Sequence, residues 1–567
     1  MNWQLEHRTQ ILSSAQGLMT IGLLFVTSLL VHYAYKSRQR SLKFIRGPPS
    51  PSWLVGNEYD LVHQLEANKL QDPWANEYGA VFRYSGCFGE DILHVADPKA
   101  LQHIFHASSY HYPKAGDTRN DFRRLFGKSI VWAEGNMHQR HRKALNPAFS
   151  ASQLKMYLSV FQRSTQRLVA KWQNQYSLLD RNKEEGQTVD MTRWISRLTL
   201  DIIGETSFDY DFQALEDSDN RLTAIMKMIF SASVQRSKLS LLVRAFRRNL
   251  IVDPAFYNPL NPDEPIVLTK EDKLQDNWLK ASKKAAEDIL RRKAASGHQG
   301  VEEGSKDILS ILVRSNSLED PKKRLDDEEV LAQMSTMILA GHETTGHTAV
   351  WLLYALAQHP EQQRRILEEI QEVRKRKVDA REDKQFTPHD YDSMPFFNAV
   401  IKEALRLYPT SLALFRFPDR DDVIPLSESI ISASGDKLME IPVKKGQRID
   451  INVYAYNRLK SVWGEDADTW NPERFLDGKK GGTLGVFANL MTFSAGVRGC
   501  IGWRFALLEL QSILEGLICA FEFSLDPAIK IFKAQAAPMA PMIVGREKEG
   551  LQMPLTVKPR ISTWSRN

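Results

Sequence analysis

Two different patterns of apolar and polar positions run along this chain. From Thr9 to Tyr35 there is no Asp, Glu, Lys or Arg. The apolar heart of that stretch is ILSSAQGLMTIGLLFVTSLLV, Ile11 to Val31. As a helix rising about 1.5 Å per residue it spans roughly 30 Å, one bilayer core. Lys36, Arg38, Arg40, Lys43 and Arg46 follow it, while only Glu6 and Arg8 precede it closely. Positive charge on the trailing side predicts a retained anchor over residues 11–33, a lumenal start over 1–10, and the bulk of the chain on the cytoplasmic side. A cleaved signal peptide fits less well, because the basic cluster lies where cleavage would fall. The prolines of RGPPSPSW, Arg46 to Trp53, disfavour helix, so residues 34–53 form a stiff basic connector.

Beyond the connector the pattern is that of a globular protein. Tyr78 to Val95 alternates and carries turn residues, which predicts a small sheet. From about Pro98 to Lys293 a helical period dominates, as in LKMYLSVFQRSTQRLVAKWQ. Ala295 to Asp307 is polar and predicts an exposed loop. Helical runs follow over 326–359, 361–377 and 396–408. After Pro409, SLALFRF and QRIDINVYAY read as short strands, and a last long helix runs from near Cys500 to about Phe521. The fold class is mostly α with minor β, and residues 54–567 form one large domain.

Charge excludes one class of partner. The net charge of +6 is mild and scattered, with no basic tract dense enough for nucleic acid. Such a surplus still suits an anionic membrane surface or an acidic protein. Cys87, Cys500 and Cys519 are odd in number and far apart, so no disulfide framework or zinc-finger spacing follows.

Three motifs carry chemistry. AGHETTGH, Ala340 to His347, interrupts an apolar helix. Zinc proteases need two histidines four apart, whereas His342 and His347 are five apart, about 140° round the helix. What remains is an acid and two threonines in a buried-looking helix, and a buried acid is costly unless bonded or functional. A kinked structural helix is the plain alternative. Next, EALR sets Glu403 and Arg406 on one helix face. Some seventy residues on, PERF supplies Arg474, so one carboxylate could hold two guanidiniums. Last, FSAGVRGCIG places Cys500 among glycines ahead of a helix, where the helix dipole favours a thiolate. With no redox partner and no nearby base, a metal whose other ligands come from elsewhere, such as haem iron, suits a single cysteine.

In order and wording these motifs resemble the cytochrome P-450 haem-thiolate monooxygenases, from about Gly47 to Arg560. The resemblance implies that fold, with haem b as cofactor and Cys500 as the iron ligand. It implies that Phe493 shields the sulfur, that Gly502 lets the helix approach the porphyrin, and that Arg498 pairs with a propionate. His138 and Arg142, in HQRHR, and Arg416 are further propionate candidates; the family often has Trp where this chain has His138. Glu343 and Thr344 match the acid–alcohol pair that delivers protons to O2, and Gly341 the groove beside it. Glu403, Arg406 and Arg474 match a structural network. Segments 107–131, 332–340, 410–415 and 541–551, with Met337, Leu412 and Leu414, are expected to meet a lipophilic substrate. Electrons are expected from an NADPH–cytochrome P-450 reductase on the same endoplasmic reticulum membrane, meeting basic residues such as Lys479, Lys480 and Arg504. The wording looks fungal, pointing to oxidation in terpenoid or polyketide biosynthesis, or of xenobiotics or fatty acids. A reductase-independent haem-thiolate isomerase or dehydratase, and a non-catalytic haem carrier, are the competing functions.

Overall fold

The computed structural model describes residues 38–178, 186–216, 237–250, 269–295, 306–477, 484–536 and 538–560, with isolated helical positions at 19, 20, 23, 27, 28 and 228. The expected anchor over 11–33 lies outside the described residues, those isolated positions aside. So do Lys479 and Lys480 and most of the loop expected at 295–307. Among the described residues no helix is long and apolar enough to cross a membrane.

The helices that position the site are α1 (Gly135–Leu145), α2 (Ala151–Leu178), α3 (Met191–Phe208), α4 (Asp327–Ala357), α5 (Pro360–Asp379), α6 (Pro395–Leu407) and α7 (Trp503–Ala520). α4 starts where its sequence says it should. The Asp326 side chain accepts from the Glu329 N–H at 2.7 Å, and the Glu329 carboxylate accepts from the Asp326 N–H at 3.0 Å. This capping box satisfies two end N–H groups, and the acids at 327–329 suit the positive end of the helix. α4 runs unbroken through AGHETTGH, so the threonines do not interrupt it.

α4 lies along α3 because it carries glycine at the crossing. A Cβ on Gly341 would sit 2.5 Å from Ile203 Cδ1, and one on Gly346 would sit 3.1 Å from Thr199 Oγ1. Gly341 therefore allows close helix packing against α3. α7 packs along α2 and also meets α4.

The small sheet predicted over 78–95 is present as a hairpin of β1 (Val81–Ser85) and β2 (Asp91–Val95). It joins a four-stranded sheet in the order β1-β2-β6-β3, where β3 is Ala413–Arg416 and β6 is Arg448–Asn452. β2 and β6 are parallel and the other pairs antiparallel. A separate hairpin, β4 (Asp422–Ile431) with β5 (Lys437–Val443), was not legible in the sequence. The predicted strand QRIDINVYAY ends early, turning helical at Val453.

Two apolar cores result. One gathers the helices, including Phe161, Leu198, Ile338, Val350, Leu405 and Leu514. The other gathers the sheet side, including Val81, Leu93, Ile424, Ile441 and Ile451. β7 (Leu490–Ala495), the strand leading to Cys500, belongs to both: Leu490 enters the helical core, Met491 and Ala495 the sheet core. Neighbouring strand residues point to opposite faces, which is how one strand serves both.

The EALR and PERF residues tie this framework together. Glu403 and Arg406 have no exposed surface and pair at 2.7 and 2.8 Å. Arg406 also donates to the carbonyls of Asn457, Ala467 and Thr469, and Arg474 Nε reaches Glu403 at 3.3 Å. Glu403→Ala strands the Arg406 charge inside the protein, a loss of about 3–5 kcal/mol. Denaturant unfolding of this variant and the wild type is expected to show it, and equal midpoints would contradict the network's role.

Candidate functional site

The stretch around Cys500 is shaped by backbone demands. Gly496 has φ +61°, and a Cβ there would sit 1.9 Å from the Phe105 carbonyl oxygen. A Cβ on Gly499 would sit 2.5 Å from Val486 Cγ1. The Cys500 N–H then donates to the Phe493 carbonyl at 2.9 Å, closing the turn. Gly502 differs: its Cβ would meet only Phe149, at 3.6 Å, which is ordinary contact. Protein packing requires the first two glycines but not the third.

Cys500 lies three residues ahead of α7, whose N-cap is Gly502. Its side chain is enclosed by protein and yet accessible, so it faces interior space rather than a packed neighbour. Burial pushes the thiol up, against the Gly502 N–H and the Arg142 guanidinium, which pull it down. The thiolate preference expected from the helix dipole is therefore overridden by desolvation in the protein alone. Thr344 is the corresponding accessible residue on α4, between buried His342, Glu343 and Thr345. Its hydroxyl donates to the Ala340 carbonyl at 2.8 Å.

Glu343 is placed apart from that hydroxyl. Its carboxylate faces α3, with Ser196 Oγ at 3.4 Å, His342 Nε2 at 3.1 Å and His347 Nδ1 at 3.2 Å. Burial favours its neutral form, but the two imidazoles outweigh this and hold the carboxyl well below the usual range. Adjacent helix residues diverge by about 100°, so acid and alcohol leave α4 in different directions.

Beside the cysteine turn is a cluster of cations. Arg498 donates through Nε to Glu134 at 2.8 Å and through Nη1 to the Ser109 carbonyl at 2.6 Å. Lys114 Nζ meets the other Glu134 oxygen at 3.0 Å. Arg142 donates to the Gly499 carbonyl at 2.5 Å, next to the cysteine. Arg416 is buried, donates to the Phe415 carbonyl at 3.0 Å and meets no carboxylate among the described residues. Burial first and repulsion from Arg498 second push it down to about 10. His138 is buried with Nδ1 3.3 Å from Tyr110 Oη, and burial, Lys114 and Arg498 push it down to about 4. It is neutral at physiological pH in the protein alone. Phe493 is half-buried and packs edge-on to Phe487. Of the expected lining residues, Met337 and Leu412 enter the helical core and Leu414 packs on the sheet core.

A profile of the cytochrome P450 family matches residues 46–549. The chain belongs to the cytochrome P450 family. It is 34% identical to cytochrome P450 monooxygenase 128 of Postia placenta over 92% of this chain and 93% of that protein. It is 30% identical to cytochrome P450 monooxygenase claQ of Ampulloclitocybe clavipes over 91% and 92%. It is 32% identical to ganoderic acid synthetase CYP5150L8 of Ganoderma lucidum over 88% and 90%. The protein is thus a P450 monooxygenase, and the cofactor of its family is haem b.

The residues present fit a haem. A thiol faces interior space, Gly502 leaves room for a flat group, and the cation cluster sets Lys114, Arg142, Arg416 and Arg498 against one carboxylate, Glu134. That surplus suits a dianion such as the two propionates. Lys114, Tyr110 and Glu134 escaped the sequence reading of this P450. The only local signal is Glu134 before Gly135, whose φ is +54°.

Burial favours a neutral Glu134, but Lys114 and Arg498 outweigh it and hold the carboxyl down to about 2. A depressed carboxylate adds stability above its unfolded pKa, about 4.3, that is lost as pH falls through the folded value. The stability gap between wild type and Glu134→Gln is therefore expected to be widest near neutrality and to shrink between about pH 4 and pH 2. Urea unfolding across that range checks this; a gap that widens in acid contradicts it.

Proposed function

We propose that this P450 inserts one oxygen atom into a lipophilic small molecule, drawing electrons from an NADPH–cytochrome P-450 reductase on the endoplasmic reticulum membrane. The accessible Cys500 sulfur, enclosed beside a cationic cradle, is the observation that carries the reading. Haem, when bound, supplies the oxygen-activating chemistry.

The chain's own residues do the rest. Cys500 is the iron ligand; a coordinating thiol is deprotonated outright, which reverses the effect of burial. Phe493 screens the sulfur from water, and the Cys500 N–H stays directed at the Phe493 carbonyl. Arg498, Arg416, Arg142 and His138 hold the propionates, with neutral His138 acting as a hydrogen-bonding group rather than a charge. Gly502 lets that flat group lie close to the start of α7. Thr344, already donating to Ala340, keeps its oxygen lone pairs free to accept a hydrogen bond from water. Glu343, kept ionised by His342 and His347, is the acid of the pair and can pass on only a proton it first accepts.

A ganoderic acid synthetase among the relatives supports a role in fungal secondary metabolism, of terpenoid or polyketide type. The uncharged stretch over 11–33 supports a single-pass anchor.

Cys500→Ala is expected to abolish the red-shifted absorption band of the reduced carbon monoxide complex; a normal band in that variant refutes ligation. Thr344→Ala is expected to keep the band while diverting NADPH electrons to peroxide, and undiminished coupling to product refutes its role. Wild-type product formation is expected to need both NADPH and reductase, and product formed without them points to an isomerase.

A further inference from the structure

The two histidines that fail the zinc spacing bracket Glu343, and their backbone contacts fix where their hydrogens lie. His342 Nδ1 is 2.5 Å from the Ile338 carbonyl, and His347 Nδ1 is 2.8 Å from the Glu343 carbonyl. A carbonyl oxygen only accepts, so both Nδ1 atoms carry hydrogen.

That assignment has a consequence on the other side of the His342 ring. A neutral His342 would then present a lone pair at Nε2, and Nε2 lies 3.1 Å from Glu343 Oε1. An ionised carboxylate would set two acceptors 3.1 Å apart where His342 has no exposed surface. His342 Nε2 makes no hydrogen bond among the described residues, so its approach to Glu343 is a close contact without hydrogen-bond alignment. Catalytic contacts are often misaligned in this way before substrate binds. One proton between the two groups removes the conflict, whichever atom carries it. His347 Nδ1–H, donated to the Glu343 carbonyl, also lies 3.2 Å from Oε2.

We propose that His342 and Glu343 form a single proton-holding pair, with His347 as its positioning residue, and that this pair supplies the water at Thr344. The proposal rests on the monooxygenase reading above. One proton passes from the pair to that water, and bulk water returns one to the pair; no electrons move. The surroundings leave the pair to itself. α3 brings the hydroxyls of Ser196 and Thr199. α7 brings Glu509, fully buried and pushed well up by burial, whose carboxyl oxygens make no hydrogen bond among the described residues. In α6, Glu403 is closed on Arg406. α5 and the strand beginning at Phe521 meet α4 at its Leu356 end, through Gln363. Lys128 and Lys283 meet it at Glu328, about four turns earlier. Glu343 in turn draws His347 upward against the effect of burial.

The test uses the full-length holoenzyme, labelled with 15N-histidine, in its diamagnetic ferrous carbon monoxide form. The His342 ring is expected to carry or share a proton at Nε2 at neutral pH, and to lose it in Glu343→Gln, leaving only Nδ1–H. A wild-type Nε2 with a free lone pair, unchanged by Glu343→Gln, overturns the proposal. In His342→Gln the amide keeps the contact but holds no titratable proton. That variant is expected to retain the carbon monoxide band, release several-fold more peroxide per NADPH and show a larger solvent isotope effect on NADPH oxidation. An intact band with unchanged peroxide yield and isotope effect overturns it. Should the variant lose the band, the histidine spectra of wild type and Glu343→Gln decide alone. Absence of the band in wild type would instead sink the monooxygenase reading, so the two failures are distinguishable.

Discussion

The placement of one sulfur atom governs this protein, and backbone rather than side-chain packing secures it. The Cys500 N–H is tied to the Phe493 carbonyl, Gly496 adopts a left-handed φ against the Phe105 carbonyl, and Arg142 holds the Gly499 carbonyl. Because these contacts are all made to main chain, the cysteine side chain is free to point into open interior space. A cysteine held by its own packing would be an inert core residue, as Cys87 is, with its thiol raised by burial and confined beside the Val55 carbonyl.

Everything else around the site follows from where that turn is anchored. β7 feeds it from a strand shared by both apolar cores, and α7 leaves it packed along α2. The Glu403–Arg406–Arg474 network stabilises the same seam, since Arg406 donates to the Asn457 carbonyl while Asn457 accepts the Met491 N–H. On α4, Thr344 is accessible while Glu343 turns toward α3. The glycines that let α3 approach therefore also decide what surrounds the acid.

Much of this was legible in the sequence, and the failures have physical causes. The helix read as 326–359 is 327–357, because its apolar run is long and Asp326 with Glu329 marks its start. The 422–431 and 437–443 hairpin was missed because its strands alternate poorly and expose most of their side chains. Cys500, Arg498, His138, Arg142 and Arg416 could be named as one neighbourhood from their motifs, and the fold gathers them around the same turn. Lys114 and Glu134 could not be, since twenty residues separate them and no local pattern joins them. The separation of Glu343 from Thr344 was likewise hidden, as adjacent letters say nothing of directions round a helix.

The cation cluster bears on how the protein is made as well as how it works. Folding encloses the Arg416 guanidinium with no carboxylate in contact with it among the described residues, and burial and repulsion from Arg498 outweigh the attraction of Glu134. A dianion that binds only the folded chain shifts the folding equilibrium by mass action. Haem is in that sense a participant in maturation, and the yield of native protein in a producing cell becomes tied to the rate at which that cell synthesises porphyrin.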